Sequence, residues 1–104
     1  MYTVAETELF VADAKALWTE AERLEFIDWL AAHPEAGAVI PGSGGCRKVR
    51  WTRAGMGKQG GARVIYFNQL EHGVIWLLLI YAKAQRGNIP AHLLKTIKEA
   101  IDHD

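Results

Sequence analysis

Lys48, Arg50 and Arg63 are the residues of this 104-residue chain whose types and spacing suit them best to chemistry. They lie in GSGGCRKVRWTRAGMGKQGGAR, residues 42–63. Six of these 22 residues are Arg or Lys, seven are Gly, and none is Asp or Glu. Such a segment suits a polyanion, because cations attract phosphate and glycines let backbone come close without side chains in the way. Lys48 and Arg50 stand two apart, so on a strand they leave the same face about 7 Å from each other. Arg63 joins them if an antiparallel register sets it opposite. Fixed cations stabilise charge that develops on a phosphate. Cations crowded on one surface also lower each other's proton affinity, which moves a lysine toward acid–base work. Arginine keeps its proton and serves as a clamp.

The rest of the chain must position that segment. Its length predicts one domain, 1–104, and with half the residues apolar and four Trp it can bury a core. Net charge is zero, but charge is segregated. Residues 1–46 hold eight acids against Lys15 and Arg23, whereas residues 47–88 hold eight bases against Glu71 alone. An acidic layer complementing a basic sheet would explain the neutrality, and a basic half is also a signature of nucleic-acid contact. Cys46 is the sole cysteine, so no internal disulfide forms and a cytoplasmic setting is expected. MYTVAETELF carries acids and lacks the basic start of a secretory leader. The apolar run from Val74 to Tyr81 is too short to span a bilayer as a helix.

Periodicity predicts the elements. Residues 1–5 read as a short strand. A first helix starts at Thr7-Glu8 and runs to Leu17, with Phe10, Val11, Ala14 and Leu17 on one face. Thr19 and Glu22 have capping-box spacing for a second helix, which His33-Pro34 ends. Residues 35–45 read as loop. Residues 46–52, 62–68 and 74–81 read as three strands joined by connections too short for crossover helices, hence antiparallel. On the first of these, Lys48 and Arg50 take one face, and Arg47, Val49 and Trp51 the other. The unbroken VIWLLLIY suggests a strand covered on both sides. A last helix starts near Asn88-Ile89-Pro90. The expected class is α+β: an antiparallel sheet of three to four strands, two N-terminal helices and one C-terminal helix.

Other motifs lead nowhere. Gly57-Lys58 lacks the spacing and following helix of a phosphate loop. Gly42-Ser43-Gly44-Gly45 precedes a strand and opens no helix, so it is no dinucleotide fingerprint. His33, His72, His92 and His103 are scattered without ligand spacing, so no metal or other cofactor is expected.

The runs GSGGCRKVRW, GMGKQGGARVIYF and LLLIYAK together resemble the HigB/RelE superfamily of type II toxins. The similarity is greatest to the HigB-like subgroup, with its G-x-GG-x-RK-x-R, GK-x-GG-x-R-x-IY and L-x-x-IY-x-K pattern, and it spans nearly the whole chain. It implies a RelE-like fold and a metal-independent, ribosome-dependent endoribonuclease that cuts translated mRNA. It also implies a cognate antitoxin, in this subgroup typically a helix-turn-helix protein. Lys48 and Arg50 match the two basic positions of the RelE catalytic strand, Arg63 the arginine of the next strand, and Lys83 the lysine after the last. Where RelE carries a further arginine and a tyrosine, this chain has Ala84 and roughly Pro90. Tyr81, Tyr66 and Arg86 are possible substitutes.

Strand cleavage by a 2′-hydroxyl requires alignment, stabilisation of the pentacovalent phosphate and proton movement. Lys48, Arg50, Arg63 and Lys83 are the candidates for charge stabilisation or proton transfer. Arg47, Arg53, Lys58 and Arg86 would hold messenger or ribosomal phosphates, and Tyr81 or Tyr66 would stack on an extruded base. Two other readings stay open on the same fold: a non-catalytic toxin of the ParE type, whose relatives poison DNA gyrase, and a regulatory RNA-binding domain.

Overall fold

Thr7 and Thr19 start the two N-terminal helices. Each has extended backbone, and each side chain accepts a hydrogen bond from the residue three further on, Phe10 N–H and Glu22 N–H. Glu22 reaches back to the Thr19 N–H and completes the capping box. The computed structural model describes residues 2–51, 61–82 and 89–102. In chain order the elements are β1 (Thr3–Glu6), α1 (Glu8–Leu17), α2 (Glu20–Ala32), β2 (Ala38–Val39), β3 (Arg47–Trp51), β4 (Ala62–Gln69), a 3-10 turn (Leu70–His72), β5 (Val74–Ala82) and α3 (Ala91–Asp102). No helix among the described residues is long and apolar enough to cross a membrane.

The α+β architecture is as expected, but the sheet has five strands among the described residues, ordered β1-β5-β4-β3-β2, where an antiparallel sheet of three to four was expected. β2 to β5 pair antiparallel in sequence order, and β1 lies parallel to β5. The stretch read as loop contains β2. Its two residues pair with Lys48 and Arg47, too short a strand to show alternation. The hairpin between β2 and β3 is closed by the Ile40 N–H on the Cys46 carbonyl and by the buried Ser43, whose hydroxyl donates to the Ile40 carbonyl. Gly73, at φ +71°, turns the chain into β5.

Two apolar layers sandwich the sheet. On one side Phe10 and Ala14 of α1 and Phe26 and Leu30 of α2 pack on Val49, Val64, Tyr66 and Leu77. On the other, Leu94 of α3 packs with Cys46, Ile65, Phe67 and Leu78. Burial on both faces accounts for the apolar β5 run.

Candidate nucleic-acid interface

Alternation along β3 and β4 decides which side chains meet. Val49, Ala62 and Val64 belong to the layer under α1 and α2. Their neighbours Lys48, Arg50 and Arg63 therefore leave the opposite face. The register places Arg50 directly opposite Arg63, and Arg63 opposite Tyr81, so the three form one row across β3, β4 and β5. Lys48 lies two residues along the same face, opposite Ile65 and Ala38. Directly opposed side chains stand roughly 5 Å apart at Cβ. Arg50 is exposed, while Lys48 and Arg63 are half-buried. Both ion pairs among the described residues belong to Arg23, which bridges Glu6 and Glu20. Thus no described carboxylate neutralises the row. Like charges set opposite each other destabilise a sheet. An anion laid across them would relieve that repulsion and receive convergent hydrogen bonds.

A bulge puts Tyr81 in that row. Ile75 and Leu77 face α1 and α2, and strict alternation would send Tyr81 the same way. Between Ile65 and Tyr66 the register slips: Ile65 pairs with Leu79, but Tyr66 pairs with Leu77. Leu78 is the extra residue, and both Leu78 and Leu79 join the α3 layer. From there Ile80 faces inward and Tyr81 faces the cations. Thr7 secures the slip from outside: its N–H donates to the Leu77 carbonyl (3.1 Å) and its hydroxyl to the Leu78 carbonyl (3.0 Å). Thr7→Val removes a helix cap and the bond to Leu78. It should cost about 2 kcal/mol in denaturant unfolding, with most of the loss restored by Thr7→Ser. Tyr81 is itself buried, at 6% exposure, so little of its ring is free to act as a stacking platform.

Arg47 stands apart from the other cations. It shares the face of Tyr66, its partner across the strands, and its Nη1 donates to the carbonyls of Gly37 (2.7 Å) and Glu35 (3.3 Å). The side chain thus holds the segment after α2 and lies on the far side of the sheet from Lys48 and Arg50, which does not suit the phosphate-binding role expected of it. Tyr66 is fully buried in the same clasp, which does not suit the role of base platform. Its hydroxyl donates to the Pro34 carbonyl (3.0 Å) and accepts from the Gly37 N–H (2.8 Å). A Cβ at position 37 would come within 2.9 Å of the Tyr66 hydroxyl and of the Lys48 carbonyl, so only glycine allows this approach.

Burial pushes the Tyr66 hydroxyl above the ordinary tyrosine range, while the Gly37 N–H and Arg47 pull more weakly the other way. The unfolded chain then loses this proton first. The stabilisation is complete below about pH 10 and drains away as pH rises from there toward the folded value. Tyr66→Phe should cost about 1–2 kcal/mol near pH 7, because it leaves the Gly37 N–H without its partner. In urea unfolding that gap should narrow above about pH 10; a gap that stays constant would contradict the assignment.

Lys83, Arg53, Lys58 and Arg86 lie outside the described residues, as do Ala84, the expected Asn88 cap and residues 52–60. Of the described glycines in residues 42–63, Gly42, Gly44 and Gly45 have positive φ and shape the β2–β3 hairpin. A Cβ on Gly44 would sit 3.4 Å from Lys95 of α3. These glycines set a turn against α3, which a reading of glycine as room for a polyanion did not anticipate. The reading also missed an apolar recess of about 320 Å³ beside Lys48, lined by residues 38–41, Ile65, Tyr81 and Ile89. No local pattern marks it, since its walls come from five segments.

No family model matches the chain. Three solved structures are similar to it. A double arginine-to-alanine mutant of E. coli toxin RelE in the free state aligns over 94% of this chain and 96% of that one, with TM-score 0.62 and 15% identity. The isolated E. coli RelE toxin aligns over 99% and 98%, with TM-score 0.58 and 17% identity. The intact E. coli RelBE toxin–antitoxin complex aligns over 79% of this chain and 96% of the matched chain, with TM-score 0.59 and 19% identity. Near-complete coverage in both directions by the two free-toxin structures shows that this chain has the RelE fold.

Proposed function

We propose that this protein is the toxin of a type II toxin–antitoxin pair, of the HigB-like subgroup, and that it acts as a metal-independent, ribosome-dependent endoribonuclease on translated mRNA in the cytoplasm. The observation that carries the reading is the Arg50–Arg63–Tyr81 row with Lys48 beside it. It is a set of cations unpaired by described carboxylates, on a fold shared with a known toxin. Arg50 and Arg63 clamp the scissile phosphate and stabilise its charge as the 2′-hydroxyl attacks. Lys48 adds charge and is the group of the three able to pass a proton. Lys83 completes the set by its place in the motif. A cognate antitoxin, of the helix-turn-helix kind, would silence the protein by covering this face.

Mapping mRNA 5′ ends after brief induction tests the reading. New ends at fixed positions within codons, on translated messages alone, are expected. DNA damage without mRNA loss would instead place the protein with gyrase-poisoning relatives of the fold, and binding to translating ribosomes without cleavage would leave a regulatory RNA-binding domain.

A further inference from the structure

The apolar recess beside Lys48 has no role in the mechanism above. Residues 38–41 of β2 and the turn after it, Ile65 of β4, Tyr81 of β5 and Ile89 before α3 line this open recess, and its volume of about 320 Å³ is at the low end for ligand pockets. Lys48 is the charged residue of its lining. Lys48 and Tyr81 belong at once to the recess and to the cationic face. An occupant that fits both must carry a compact apolar body and a negative group about one strand residue-pair away.

We infer that this recess is a nucleobase subsite: it takes the base attached to the phosphate held by Lys48, Arg50 and Arg63. A base offers two apolar faces to walls such as Val39, Ile40 and Pro41, and its sugar carries the phosphate back over the cations. The inference rests on the proposed nuclease reading and adds to it a source of base preference. Ala38 pairs with Lys48, so a larger side chain there projects onto the same face and fills the recess from an exposed edge position.

The test uses the whole chain, with adenosine and uridine 3′-monophosphates as probes, inorganic phosphate as the reference and isoleucine methyl resonances as the readout. Both nucleotides should shift the methyls of Ile40, Ile65 and Ile89 saturably and bind at least tenfold more tightly than phosphate. Ala38→Phe should erase that advantage and leave phosphate affinity unchanged, while Ala38→Ser keeps it. In induced cells Ala38→Phe should still cut mRNA but at an altered distribution of bases. Nucleotides that bind no better than phosphate, or that leave the isoleucines undisturbed, would overturn the subsite. Tighter binding of N-acetyl-leucine amide than of either nucleotide would overturn it in favour of a protein side chain. Nucleotide capture without cleavage by the wild type would sink the nuclease and keep the subsite. Cleavage with base preference and nucleotide affinity both untouched by Ala38→Phe would do the reverse.

Discussion

Arg63→Ala should lower mRNA cleavage on the order of 10²–10³-fold and abolish growth inhibition, with the fold left intact. Arg63 occupies the middle of the row, between Arg50 on β3 and Tyr81 on β5, so its guanidinium is the one with a neighbour on either side. A phosphate centred on the row meets Arg63 first, and the other cations can approach only from its flanks. Arg63 has no ion pair among the described residues and directly opposes another cation. Removing it deletes a repulsion and no ion pair among the described residues, so the melting temperature should change little. Arg63→Lys keeps the charge but not the fork that grips two phosphate oxygens, and should recover part of the activity. Full toxicity of Arg63→Ala would remove the catalytic assignment, whereas loss of toxicity with loss of fold would contradict the geometry.

Affinity and chemistry separate in the same experiment. Cations that neutralise phosphates release counterions, so binding to RNA should weaken steeply with salt, and each lost contact should flatten that slope by roughly one unit. Arg50 is exposed and Arg63 is half-buried. Arg50→Ala is therefore expected to act chiefly on binding and its salt slope, and Arg63→Ala chiefly on the cleavage step.

What could be read in advance divides by range. The caps at Thr7 and Thr19 need only residues three apart, and both are where the spacing puts them. The alternation in β3 is equally local. It places Arg47 with Val49 and Trp51 and against Lys48 and Arg50, and the clasp of Arg47 on the Gly37 carbonyl follows that parity, not the shared charge. The pairing of Arg50 with Arg63 depends on how many residues the hairpin takes, which no pattern within either strand states. The bulge at Leu78 was hidden for another reason. In VIWLLLIY every residue is apolar, so a phase slip leaves no polar residue on the wrong side to reveal it. Yet that slip decides whether Tyr81 meets Arg63 or the helices. The parallel strand β1 and the two-residue β2 depend on partners 71 and 10 residues away, Val74 for Thr3 and Lys48 for Ala38, and are set by tertiary pairing.

Phe26→Ala should be the most destabilising single change in the helix-side layer, at about 3–5 kcal/mol. The ring is fully buried and sits among three tryptophans: centroids lie 5.2 Å from Trp18, 6.1 Å from Trp29 and 5.3 Å from Trp51, the last edge-on. Trp18 follows α1, Trp29 belongs to α2 and Trp51 ends β3, so one side chain joins both helices to the strand that carries Lys48 and Arg50. Deleting it leaves a hole that large indoles cannot close by small shifts, which is why the cavity cost adds to the transfer cost. Chains of this size hold about 5–15 kcal/mol in total, so the variant should stand near the edge of folding at 37 °C. Its melting temperature should fall by roughly 4 °C or more for each kcal/mol lost. Growth inhibition should drop with abundance, and any variant that remains folded should cut at the same positions as the wild type, unlike Arg63→Ala, which should be abundant and inert. Phe26→Leu, which fills most of the space, should lie between the two extremes. A melting temperature for Phe26→Ala within a degree or two of the wild type would mean that the tryptophans hold α2 to β3 without it.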